Sequence, residues 1–131
     1  MKKQQPTYID GYVLVIKKKN LAKYKKVATE AAAMWMKYGA LSYRECVGDD
    51  MSPEMGKYGV LRFPDLIKAK KDEVVLFSYV EYKSKAHRDA VNKKINKDMT
   101  EYEKDHPDHM KDMPFEHDRM AFGGFKVMVN G

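Results

Sequence analysis

His87-Arg88-Asp89 sets an imidazole, a guanidinium and a carboxylate side by side, three residues after Ser84. Ser84 is a good N-cap, and Ala86, Ala90, Val91 and Ile95 follow at helical spacing, which puts His87 in the first turn of a helix. A helix N-terminus disfavours the imidazolium, so a neutral His87 could serve as a base or a hydrogen-bond donor; capping or packing is its plainer role. Arg88 and Asp89 suit holding an anionic ligand or pairing with neighbours. No nucleophile stands next to His87 in the sequence, so nothing amounts to a triad.

Two other stretches carry reactive types. Glu45-Cys46-Val47-Gly48-Asp49-Asp50 brings carboxylates and a thiol to the end of a strand, where loops converge on cavities. Strand alternation points Glu45 and Cys46 to opposite faces, and Cys46 reads as a buried small hydrophobe rather than a reactive thiol. Asp105-His106-Pro107-Asp108-His109, with His117-Asp118 later, has the look of a metal site. Pro107 separates the two histidines, no Cys supports them, and Lys residues flank them, so we expect a solvated connection and no metal. Gly123-Gly124 lies in a strand with no following helix or Lys-Ser/Thr, so it is no phosphate loop and no cofactor is expected.

These side chains need a frame. Tyr8 to Ile16 reads as a strand, with Tyr8, Asp10, Tyr12, Leu14 and Ile16 on one face and Ile9, Gly11, Val13 and Val15 on the other. Asn20 can cap a helix from about Leu21 to Tyr38. Its stripe of Leu21, Tyr24, Ala28, Ala31, Trp35 and Tyr38 runs at steps of three and four, and Gly39 ends it. Leu41 to Val47 is a second strand and Val74 to Tyr82 a third, followed by the helix capped at Ser84. The connection 48–72 is long and irregular, with a helical turn expected at Leu66 to Lys70. It is the expected lid or partner-contacting segment. Polarity rises from Asn96 to Asp118, and Met120 to Val129 is a last strand whose Gly123-Gly124 pair implies a bulge or a close backbone approach.

The order β-α-β-β-α-β is the ferredoxin-like pattern of an α+β fold, with a four-stranded antiparallel sheet and both helices on one face. Residues 1–131 read as one such domain, with 1–6 a flexible tail. The strands are apolar on both sides, so the uncovered face is expected to pack against a second copy, two sheets forming a dimeric α/β barrel.

Composition bounds the partners. The formal net charge is +6, from 25 Lys plus Arg against 19 Asp plus Glu, and Arg occurs only at positions 44, 62, 88 and 119. A Lys-dominated excess fits a solvated surface and weak electrostatic contact with nucleic acid rather than specific readout. No apolar run approaches the ~20 residues that span a bilayer, and the basic start is followed by no signal core. With a single Cys46 no disulfide can close within the chain. The expected home is the cytoplasm.

Several motifs, taken in order, resemble those of the YbaA-like family of uncharacterised bacterial proteins. They are Tyr8-Ile9-Asp10-Gly11-Tyr12; Gly39-Ala40-Leu41 leading to Glu45-Cys46-Val47-Gly48-Asp49-Asp50; Ser84-Lys85-Ala86-His87-Arg88-Asp89-Ala90-Val91-Asn92; and Met113-Pro114-Phe115, with Arg119-Met120 and Gly123-Gly124-Phe125. The resemblance covers nearly the whole chain. It implies membership of the dimeric α/β-barrel superfamily, whose pockets often lie between sheet and helices, and it assigns no reaction.

The function expected is therefore a small-molecule binder or enzyme with a sheet–helix pocket. Trp35 and His87 are expected at its rim, with Glu45, Arg88 and Arg119 as further candidates. Arg119 would balance an anionic ligand or pair with Asp118 or Glu116. The alternative is a non-catalytic dimeric interaction module with weak electrostatic RNA binding.

Overall fold

The computed structural model describes residues 5–52 and 58–131. Strand β1 (Tyr8–Lys17) passes through one tight turn, Lys18–Asn20, into α1 (Leu21–Lys37) and then β2 (Ser42–Val47). The short α2 (Phe63–Leu66), β3 (Glu73–Tyr82), α3 (Lys85–Asp105) and β4 (Met120–Lys126) follow. The sheet order is β2-β3-β1-β4, every neighbouring pair antiparallel. This α+β arrangement is compatible with a ferredoxin-like fold. No helix among the described residues is long and apolar enough to cross a membrane.

The two long central strands run in register from Tyr8 opposite Tyr82 to Lys17 opposite Glu73. On one face they bury Leu14, Ile16, Leu76, Val80 and Tyr82 beneath α1 and α3, where Tyr24, Ala28, Val91 and Ile95 close the core. Strand alternation separates that face from Ile9, Val13, Phe77, Tyr79, Ala121 and Phe125. These residues line an open concavity of about 680 Å³ on the other side. Phe77 and Phe125 remain 45% and 61% exposed there.

The caps differ from expectation at one end. Ser84 accepts a hydrogen bond from the His87 amide at 3.1 Å, as a capping residue should. Asn20 makes no side-chain cap, and the preceding tight turn takes the Leu21 amide onto the Lys18 carbonyl. The helix α3 also runs on through the polar stretch to Asp105. Met99 packs on the core and Tyr38 hydrogen-bonds Asp98, so tertiary contacts hold a segment with no apolar stripe of its own.

In the long connection the helical turn falls at Phe63–Leu66 rather than at 66–70, with Pro64 in its first turn where a missing N–H costs nothing. Phe63 meets Phe77 edge-on at 6.4 Å, so α2 reaches the uncovered sheet face. Within this connection, residues 53–57 lie outside the described residues. So do residues 1–4 of the expected tail, although Pro6 accepts a hydrogen bond from Asn130.

The Gly123-Gly124 pair is no bulge: Gly11 faces Gly123 and Asp10 faces Gly124 in unbroken register. It is a close approach. A Cβ on Gly124 would lie 2.3 Å from the Tyr8 hydroxyl, so glycine alone leaves room for that ring.

Candidate functional site

Glu45 is the acidic residue around which a site is built. Alternation along β2 turns Tyr43, Glu45 and Val47 toward the helices, and β3 supplies Ser78 directly opposite Glu45. The stripe of α1 brings Tyr24 over the same spot. The carboxylate accepts hydrogen bonds from the hydroxyls of Tyr43 at 2.7 Å, Ser78 at 2.6 Å and Tyr24 at 2.9 Å. Burial, followed by the charge of Glu45, pushes the Tyr24 and Tyr43 phenols well above their ordinary range, so both stay protonated donors.

This cluster forms one wall of a cavity of about 190 Å³ between α1 and the sheet. Rings of Tyr12, Trp35 and Phe115 make up much of the rest, with Ala28 and Ala31 of α1 leaving the space. Trp35 lies 5.9 Å from Tyr43, and Phe115 meets Tyr24 edge-on at 6.1 Å. The Tyr12 phenol is pushed up to about 12 by burial and by the charges of Asp10 and Glu45. Among the described residues the Tyr12 hydroxyl takes part in no hydrogen bond. The cavity is thus apolar and aromatic, with one carboxylate and one unengaged hydroxyl on its wall.

Of the five residues expected in a shared pocket, Trp35 and Glu45 meet here; the other three do not line the cavity. His87 touches Tyr82 edge-on at 5.8 Å, while the Trp35 indole N–H donates to the Tyr82 hydroxyl at 3.0 Å, so the two residues share a neighbour but not a cavity. The His87 Nδ1 accepts from the Lys83 amide at 2.9 Å, and Nε2 faces Gly39, at the end of α1. Burial and the Lys83 charge hold its pKa below the ordinary 6.5, consistent with a neutral ring. The imidazole ties the end of β3 to the end of α1.

Arg88 pairs with Asp10 at 2.8 Å and with Asp89 at 2.8 Å, and its guanidinium lies over the Tyr8 ring at 5.0 Å. Asp10 is fully buried in mid-strand, and that burial raises its pKa although Arg88 works against the shift. Sequence reasoning missed Asp10 as a partner. Its signal was a carboxylate sharing a strand face with Tyr8, Tyr12, Leu14 and Ile16. Arg119 takes neither expected acid: it grips Glu73 through two bonds of 3.0 Å and the Lys68 carbonyl at 3.0 Å. It is engaged by the start of β3 and bears on no ligand in this cavity.

Cys46 is exposed, against the expectation of burial. It faces Phe77 across the edge pair on the side of the sheet that α1 and α3 leave uncovered. In the third candidate stretch, His109 packs edge-on against the Tyr102 ring at 5.3 Å, and its Nδ1 lies 3.2 Å from the His106 carbonyl. His106 stacks on Tyr102 at 4.0 Å, and no group of three metal-binding side chains exists among the described residues.

Residues 7–117 match a family described as a protein of unknown function, DUF1428. The chain belongs to that family. It is 36% identical over 125 residues to "Uncharacterized protein YbaA" of Escherichia coli strain K12, covering 94% of this chain and 97% of the relative. The same identity and coverage hold for proteins of that name in Escherichia coli O157:H7 and Shigella flexneri. The match spans β1 to α3, and the YbaA-like resemblance read from the motifs is therefore correct.

Proposed function

We propose that this protein binds a small organic molecule in the cavity between its sheet and α1, with Glu45 as the polar anchor. The observation that carries the reading is a carboxylate accepting three hydroxyl hydrogen bonds on the wall of an aromatic cavity. Four polar side chains converging under α1 give orientation, and the surrounding rings give affinity, which is the usual make-up of a ligand site. Its size suits a single ring or a compact branched group, since a dry cavity of ~150 Å³ accepts benzene. Once a ligand is bound, Glu45 is also the group positioned to take a proton from it.

The assembly we propose is a homodimer, two uncovered sheet faces packing as a dimeric α/β barrel. Support comes from the concave apolar face around Phe77 and Phe125, a kind of surface that rarely stays open to water. The exposed single thiol suits a reducing compartment, and we assign the protein to the cytoplasm.

Trp35 is the only tryptophan, so its emission reports on the cavity directly. Titration with single-ring compounds should change that emission saturably. Ala31→Leu, which fills the space, should abolish the response, while His87→Ala and Arg119→Ala should preserve it. An unchanged response in Ala31→Leu would refute the cavity as the site.

A further inference from the structure

The structure points to a charge preference in this cavity: we infer that its ligand is a small organic ammonium ion. The inference rests on the cavity reading above and adds the chemical class. Two independent features carry it. The first is sign. Glu45 is the cavity's ionisable acid, and no Lys, Arg or His lines the space with it. Its three hydrogen bonds come from neutral hydroxyls, so they orient the carboxylate without cancelling its charge. None of the ion pairs among the described residues involves Glu45. Among the cations, Arg88 is engaged by Asp10 and Asp89 and Arg119 by Glu73, while Lys25 lines the adjoining groove that Glu45 also borders and not this cavity.

The second feature is the wall. Five rings, those of Tyr12, Tyr24, Trp35, Tyr43 and Phe115, line the cavity. Aromatic faces carry negative potential and attract cations, and a cage of them beside a carboxylate is how proteins recognise alkylated ammonium groups. The Tyr12 oxygen adds an uncommitted acceptor for an N–H or O–H of the ligand. An anionic ligand would meet Glu45 with no counter-charge in the cavity, and a neutral one would use only the rings.

Calorimetry with four probes on the wild-type dimer or monomer, whichever is purified, tests this. The probes are choline, its uncharged carbon isostere dimethylbutanol, phenol and benzoate. Choline should bind at least tenfold more tightly than dimethylbutanol, and benzoate should not bind. Glu45→Gln, which keeps shape and hydrogen-bonding size, should reduce the choline preference to near unity while dimethylbutanol binding holds. Equal binding of choline and its isostere by the wild-type protein overturns the inference without any variant. Binding of phenol but not choline also overturns the charge preference and leaves the cavity reading standing. Silence from all four overturns both.

Discussion

His87 and Arg88 are neighbours in the chain with separate structural tasks, and each yields a test. Neutral His87 accepts the Lys83 amide, and burial beside Lys83 and Lys94 lowers its pKa. The unfolded chain therefore binds this proton more readily than the folded one. The stabilisation is complete above the ordinary value of 6.5 and is lost as pH falls from there toward the folded value. Urea midpoints of the wild type should drop more steeply than those of His87→Gln between pH 7 and about 5. Parallel slopes would contradict the assignment. Arg88→Met leaves the Asp10 carboxylate buried and unpaired, and should cost ~3–5 kcal/mol in denaturant unfolding. Asp10→Leu combined with Arg88→Met should recover much of it. Asp10 was legible as a chemical oddity, a carboxylate on an apolar strand face. Its partner was not, because residue 88 is brought to it only by the packing of α3 across β1.

Among the elements, both long helices, all four strands and the Ser84 cap were readable from spacing, since apolar periodicity and stop residues are local signals. That Glu45 shares a strand face with Tyr43 and Val47, opposite Cys46, was readable too; that this is the face under the helices was not, since alternation does not choose between the two sides. The hydroxyl of Tyr24 was not, because its meeting with Glu45 depends on how α1 crosses the sheet. The extension of α3 to Asp105 escaped for the same reason: Met99 and Asp98 are held by contacts from α1 and the core, not by a stripe. The Gly123-Gly124 pair gave two options, and the register decides for close approach. Gly124→Ala should therefore displace Tyr8 from beside Arg88 and lower stability by ~1–3 kcal/mol, the usual range for overpacking. Gly123→Ala, whose Cβ would meet the Phe125 ring at an ordinary 3.6 Å, should cost less. Equal effects of the two would refute the close-approach reading.

At the scale of the molecule, the sheet divides the protein into a side covered by the two long helices and a side that, among the described residues, α2 meets only at Phe77 and that is otherwise left largely open. Light scattering at micromolar concentration should give about twice the 15.2 kDa of one chain. Phe77→Asp with Phe125→Asp should yield a folded monomer, as placing charges in an apolar interface core opposes its desolvation. A wild-type monomer that binds no hydrophobic dye would contradict the dimer.

The central claim is that the space under α1, beside Glu45, is the ligand site. The most direct measurement is a difference electron-density map from crystals soaked in choline. Density in the cavity, with the ammonium group against Glu45 and the Trp35 and Tyr43 rings, is the predicted result. An empty or collapsed cavity, with density on the uncovered sheet face around Phe77 and Phe125 instead, would contradict it.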